Sequence, residues 1–179
     1  MQQPEYSIRR ATVEDAGALA QVHEATWRET YVGLLSEQML DALTANAREA
    51  AWRRILAGAT EDHLSTVYIA ERPGAVVAFS SCGEQRDPQF AAQGYTGEVT
   101  SVYVLKTDQR QGLGTSLMKA MMKDLAERDL VGFTLWMPRD NIPARSLYEQ
   151  LGGKLIGHRE VLRGNGKLQE VAYGWPKPS

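Results

Sequence analysis

Val102-Tyr103-Val104-Leu105-Lys106-Thr107-Asp108-Gln109-Arg110-Gln111-Gly112-Leu113-Gly114-Thr115 is the stretch that decides the fold. Alternating β-branched and aromatic residues read as a strand, 98–105, which ends in a short polar loop. Beyond the loop, Leu113, Leu117, Met121 and Leu125 recur every four residues, which predicts a helix over 112–128. The first turn of a helix presents unpaired N–H groups backed by the positive end of its macrodipole. Gly112 and Gly114 leave no Cβ to hold a phosphate away from those amides, and Arg110 adds charge at the rim. The arrangement points to a bound phosphate or pyrophosphate. The plainer reading is that both glycines let the helix pack closely on the sheet. Two phosphate motifs are excluded: no Gly-Lys-Ser/Thr follows, and Leu117 stands where a dinucleotide fingerprint needs its third glycine.

Working outward, residues 6–10 read as a first strand. Thr12 with Asp15 resembles a capping box opening a helix that carries Ala16, Leu19, Ala20, His23 and Trp27 and ends near Tyr31 and Gly33. A second helix is expected from Ser36, with Leu40, Leu43, Ala47 and Ile55 on its buried side. Residues 66–71 and 75–82 flank Pro73-Gly74 and read as a hairpin. The polar segment 84–94, broken by Pro88, reads as a loop. Strand 132–137 is closed by Pro138. A helix over 141–151 places Ala144, Leu147, Tyr148 and Leu151 on one face, with Gly152-Gly153 past its end. Strands 154–163 and 167–175 flank the turn Gly164-Asn165-Gly166. The order β-α-α-β-β-β-α-β-α-β-β implies an α/β fold with both parallel and antiparallel pairs.

The chain has 179 residues, 43% hydrophobic and 23% charged, which suits one globular domain over 1–179. Twenty basic against twenty-two acidic side chains argue against a dedicated nucleic-acid binder. No apolar run approaches the roughly 20 residues of a membrane span, so no membrane partner is expected. The N-terminal residues lack an apolar signal core, and Cys82 is the single cysteine, so a cytoplasmic setting is the default. His23, His63 and His158 show no ligand spacing, so no metal is expected.

The run Gln-Arg-x-Gly-x-Gly after Val-Tyr-Val resembles the acetyl-CoA motif of the GCN5-related N-acetyltransferases, the GNAT family. About thirty residues on, that family has a strand, an Asn and a helix with Ala-x-x-x-Tyr-x-x-x-Gly. Here the match is Asn141, Ala144, Tyr148 and Gly152 in the run from Leu135 to Gly153. The resemblance implies a mixed, largely antiparallel sheet of about seven strands, with a V-shaped splay between the fourth and fifth and about four flanking helices. It implies acetyl-CoA as co-substrate, its pantetheine arm along Val102, Tyr103 and Val104. Gln109, Arg110, Gln111, Gly112, Leu113, Gly114 and Thr115 would hold its pyrophosphate, with Ser116 adding a hydroxyl. Asn141 would touch the pantetheine or acetyl region and also cap its helix. Tyr148 would be the general acid at the sulfur, against the plainer reading of a packing tyrosine.

Glu98 stands where many relatives place a base, with Glu84 a distant second; its plainer reading is an exposed strand-edge carboxylate. Relatives that acetylate ribosomal-protein N-termini use a Glu five residues before the Asn, where this chain has Trp136. Trp27 and Tyr31 lie in the segment that overhangs the acceptor in this fold, and core packing is the competing reading for both. The implied function is an N-acetyltransferase acting on a small-molecule or peptide amine, as a monomer or a homodimer. The rivals are an acyl-CoA-binding sensor or interaction module without turnover and an ordinary dinucleotide-binding protein.

Overall fold

The computed structural model describes residues 5–31, 44–58, 65–163 and 166–177. Among them, seven strands form one sheet: β1 Ser7–Arg10, β2 Thr66–Arg72, β3 Ala75–Glu84, β4 Gly97–Val104, β5 Phe133–Pro138, β6 Lys154–Arg163 and β7 Gly166–Trp175. Their spatial order is β1-β2-β3-β4-β5-β7-β6. Five α-helices are described: α1 Ala16–Tyr31, α2 Ala45–Leu56, α3 Pro88–Ala91, α4 Leu113–Glu127 and α5 Ile142–Gln150. The pair β4–β5, joined through α4, is parallel, and every other pairing is antiparallel. A helix crossover returns the chain in the same direction and a hairpin reverses it.

Strand alternation sends successive side chains of β3 to opposite layers. Phe79 packs with Leu19, Ala20 and Trp52 beneath α1 and α2, whereas Ala78 packs with Leu113 and Leu117 beneath α4. Leu117, Met118 and Met121 are wholly buried. Truncating Leu117 to Ala would cost about 2–5 kcal/mol through lost contacts and the cavity left behind. No described helix is long and apolar enough to cross a membrane.

Two expectations are corrected. Residues 84–94 are not all loop, because Pro88 opens the single turn of α3. Proline's fixed φ and missing N–H suit a helix start, and Asp87 Oδ1 caps it by accepting from the Gln89 amide at 2.9 Å. In α2, Ala47 is exposed and Trp52 is the buried residue. Thr44 caps this helix, accepting from the Ala47 amide. The start expected at Ser36 lies outside the described residues, as do Leu40, Leu43, Gly33 and the turn residues Gly164 and Asn165. The Thr12 capping box is present, with the Thr12 amide donating to Asp15 Oδ2 at 2.7 Å.

Candidate functional site

The site begins where β4 leaves β5. The two strands pair at Gly97↔Phe133, Glu98↔Thr134 and Val99↔Leu135 and no further. Beyond Val99, β4 pairs with β3 alone on one edge while β5 stays with β7. The expected splay between the fourth and fifth strands is therefore present. Leu105 donates its amide to Val77 O of β3 at 3.0 Å. Because successive peptide groups alternate sides, those of Val102 and Val104 face the gap and that of Tyr103 faces β3. Gln109 Nε2 donates to the Val104 carbonyl at 3.1 Å, tying the following loop to that open edge.

The loop then turns through two left-handed residues, Arg110 at φ 64 and Gly112 at φ 78. For Arg110 that conformation costs about 1–2 kcal/mol. Asp108 pins the loop from beneath: buried, it accepts from the Tyr6 hydroxyl and from Arg72 Nε, each at 3.0 Å. Gly112 is the N-cap of α4 and has no side chain to cap with. The first helical amides, of Leu113, Gly114 and Thr115, thus lack a capping side chain, and the Ser116 amide is the first to close on the helix, to Gly112 O. A Cβ on Gly112 would meet nothing within 4 Å, so the space above this turn is open. Gly114 differs: a Cβ there would come within 2.9 Å of Leu147 Cδ2 on α5. The packing reading thus holds for Gly114, against a helix rather than the sheet. Thr115 is half-buried, whereas Gln111 and Ser116 are exposed beside the turn. An uncapped helix start with open space above it fits an anionic phosphate.

Asn141 is the N-cap of α5, and its Oδ1 accepts from the Ala144 amide at 3.3 Å. Seven residues on, about two turns, Tyr148 is 5% exposed, with the rings of Tyr173 and Trp175 each 6.1 Å away. Burial, with the field of nearby Tyr103, pushes its phenol above the ordinary 10, so the proton stays on at neutral pH.

On the α1–α2 side of the sheet a cavity of about 460 Å³ is lined by Glu98, Trp27, Tyr31, Tyr103, Trp136 and Glu170, among others. A bulge places Thr100 opposite no residue of β3, between Ser81↔Ser101 and Cys82↔Val99. One extra residue shifts the alternation, so Glu98 and Tyr103 share this face despite their odd spacing. Arg86 holds Glu98, donating from Nε to Oε2 at 3.1 Å and from Nη2 to Oε1 at 3.3 Å. On the far wall Arg159 pairs with Glu170 at 2.7 Å and stacks on Trp136, its guanidinium carbon 4.0 Å from the ring centre. Asp87 faces the Trp136 indole N–H at 3.4 Å.

The structure brings Trp27 and Tyr31 together, ring centres 4.5 Å apart, on the cavity that holds Glu98. Glu84 is exposed at the end of β3. Sequence reasoning missed Arg86, Asp87, Arg159 and Glu170. Only Glu170 carried a signal, a charge directly before the apolar run Val171-Ala172-Tyr173. His23 is packed: burial and the charge of Arg48 hold its imidazole down to about 3, so it stays neutral. Cys82 is fully buried, and burial pushes its thiol up to about 12.

The architecture and sequence have relatives. Residues 19–153 match the family model described as the acetyltransferase (GNAT) family. An uncharacterized N-acetyltransferase of Bacillus subtilis, YuaI, is 29% identical over 171 residues, covering 95% of this chain and 92% of that protein. The PaiA N-acetyltransferase of Thermoplasma acidophilum, solved in complex with coenzyme A, superposes with a TM-score of 0.72 at 16% identity, over 97% of this chain and 99% of that one. YncA of Salmonella typhimurium, solved with its cofactor acetyl-CoA, superposes at 0.69 and 19% identity, over 96% and 93%. With a splayed parallel pair feeding an uncapped glycine helix, and a family match over most of its length, the chain belongs to the acetyltransferase (GNAT) family and is an acyltransferase.

Proposed function

We propose that the protein transfers an acetyl group from acetyl-CoA to a primary amine of a small molecule or peptide, by direct attack in a ternary complex. The observation that carries this reading is continuity. The outward peptide groups of Val102 and Val104 run along one open edge into the uncapped amides of Leu113, Gly114 and Thr115. An extended pantetheine arm can pair with the former while its pyrophosphate meets the latter and Arg110. PaiA and YncA, which share the fold, were solved with coenzyme A and acetyl-CoA, and this supports the same co-substrate here.

The chemistry requires a neutral amine, although a free alkylamine has a pKa of about 10. Glu98 is proposed as the carboxylate that draws the amine to the thioester and takes up its proton, directly or through one water. Arg86 holds that carboxylate in a fixed orientation. Trp27 and Tyr31 would form the apolar wall against the acceptor. Tyr148, protonated and buried beside the splay, is proposed to protonate the departing thiolate, whose thiol has a pKa of about 8.5 by analogy with cysteine. Amides along the splayed edge would polarise the carbonyl in the transition state. No covalent enzyme intermediate is needed. A cytoplasmic setting goes with this reading.

Acetyl-CoA at about 100 times its dissociation constant should stabilise the fold by roughly 2.7 kcal/mol, read as a rise in Tm. NAD at the same concentration should give no shift. Stabilisation by NAD without acetyl-CoA would make the chain a dinucleotide binder and end this reading.

A further inference from the structure

The guanidinium of Arg48, on α2, is enclosed by aromatic rings. Its central carbon lies 4.8 Å from the centre of the Trp27 ring, and Nη1 lies 2.9 Å from His23 Nε2 and 3.1 Å from Nδ1. Its other two nitrogens, Nε and Nη2, are buried and have no hydrogen-bond partner among the described residues. Those two form the side-on fork of an arginine, whose parallel N–H bonds match the two oxygens of a carboxylate. Two other arginines of this protein fill that fork with a carboxylate. Arg86 uses it on Glu98, and Arg9 uses it on Glu71 at 3.1 and 3.0 Å. Buried donors are nearly always satisfied, and a charged fork left open is costly unless something else occupies it.

Arg48 lines a recess of about 240 Å³ with Ser65, Ser81, Arg86 and Thr100. Arg86 and Thr100 also line the larger cavity that contains Glu98, Asp87 and Glu170. The recess, otherwise apolar around Trp52, Ile55 and Val67, therefore carries hydroxyls and the Arg48 cation, its Arg86 being paired with Glu98. The neighbouring cavity holds three carboxylates, Asp87 together with Glu98 and Glu170, against the two guanidiniums of Arg86 and Arg159, and so is the more acidic of the two. A ligand with a carboxylate at one end and an amine at the other matches that division of charge.

Resting on the acyl-transfer reading above, we propose that Arg48 binds the carboxylate of the acceptor, so the protein acetylates amines that also bear a carboxylate. Arg48 acts as a binding residue, remote from the thioester. The neutral imidazole of His23 and the Trp27 ring hold the guanidinium, and Glu24, whose charge also acts on Arg48, bonds instead to the Ala45 amide and to Arg28, so the fork is not spent on any of them.

The test compares α-, β- and γ-amino acids with their carboxamides as acceptors, following thiol release from acetyl-CoA. At least one acid should exceed its amide in kcat/KM by tenfold or more. In Arg48→Gln that ratio should fall to near one through a higher KM for the acid, with kcat and the amide's constants little changed. Arg48→Lys, which keeps charge without the fork, should recover part of the preference. A binding readout covers the case of weak turnover. The Trp27 indole N–H resonance, identified by its loss in Trp27→Phe, should move on titration with acetate, stay still with acetamide, and stop responding in Arg48→Gln. Amides that match acids across the panel, an acid preference that survives Arg48→Gln, or an acetate response independent of Arg48 would each overturn the proposal. Continued turnover of amides would show that the acyl-transfer reading stands without it.

Discussion

Arg86 grips Glu98 from three sides: its Nε and Nη2 donate to the two carboxylate oxygens, and its backbone amide donates to Oε2 at 3.2 Å. The carboxylate is fixed in place, only 12% exposed and on the wall of the larger cavity. A base so held can accept a proton through a lone pair that Arg86 leaves unused, or through a water.

Glu98→Gln should therefore lower turnover by about 10²- to 10⁴-fold at neutral pH while acetyl-CoA affinity changes little. The acidic limb of the pH–rate profile should move or disappear. Steady-state kinetics from pH 5 to 9 check this, and unchanged turnover would reduce Glu98 to a structural partner of Arg86.

Tyr148→Phe keeps the ring that packs with Tyr173 and Trp175, and removes a hydroxyl that donates to no described residue. The fold should lose little stability, and turnover should fall at least tenfold. An interaction made only in the transition state appears in kcat and not in ground-state binding. Because burial raises the phenol above its ordinary 10, wild-type kcat should show no loss from Tyr148 ionisation up to about pH 9. Weaker acetyl-CoA binding with kcat intact would mean the hydroxyl merely holds the thioester.

Gly112→Val tests the anion site without disturbing packing, since a Cβ there meets nothing within 4 Å. The positive φ makes any side chain strained by about 1–2 kcal/mol, so the variant should fold with a slightly lower Tm. Its acetyl-CoA affinity should drop at least tenfold, because the branched side chain stands where the pyrophosphate would approach. Calorimetric titration showing wild-type affinity would place the coenzyme elsewhere.

The strand, loop and glycine helix were readable because each depends on short-range chemistry: alternation, left-handed glycine, fourfold spacing of Leu113, Leu117, Met121 and Leu125. The cavity was harder to read, since Arg86 and Asp87 on one side and the cross-strand pair Arg159 and Glu170 of β6–β7 on the other are brought together only by the sheet, through β4–β5 and β5–β7 pairing. Arg48 carried no signal of its own in the sequence, because its setting comes from Trp27 and His23 on another helix. Pro88 was misread as a breaker because a helix start and a loop offer the same signal there. The bulge at Thr100, which sets the facing of Glu98 and Tyr103, leaves no mark in composition.

Stability should depend on acid through Asp15. The Arg9 guanidinium, with Nη1 and Nη2 each 2.8 Å from a carboxylate oxygen, holds the Asp15 carboxyl down to about 2 from an ordinary 3.8. A lowered folded-state pKa contributes stability above the ordinary value and loses it as pH falls through the folded one. The contribution of about 2 kcal/mol should thus be complete above pH 5 and fade between pH 4 and 2. Denaturant melts of wild type and Asp15→Asn should differ by that amount at pH 7 and converge near pH 2. A constant difference across the range would contradict the assignment.

The central claim is acetyl transfer itself, and release of free CoA thiol from acetyl-CoA across a panel of primary amines tests it most directly. The account predicts thiol release that requires both protein and amine, equals the N-acetylated product in amount, and falls at least tenfold in Tyr148→Phe. Saturable acetyl-CoA binding with no amine-dependent thiol release from any member of the panel would contradict it, and would make the protein a sensor of acyl-CoA.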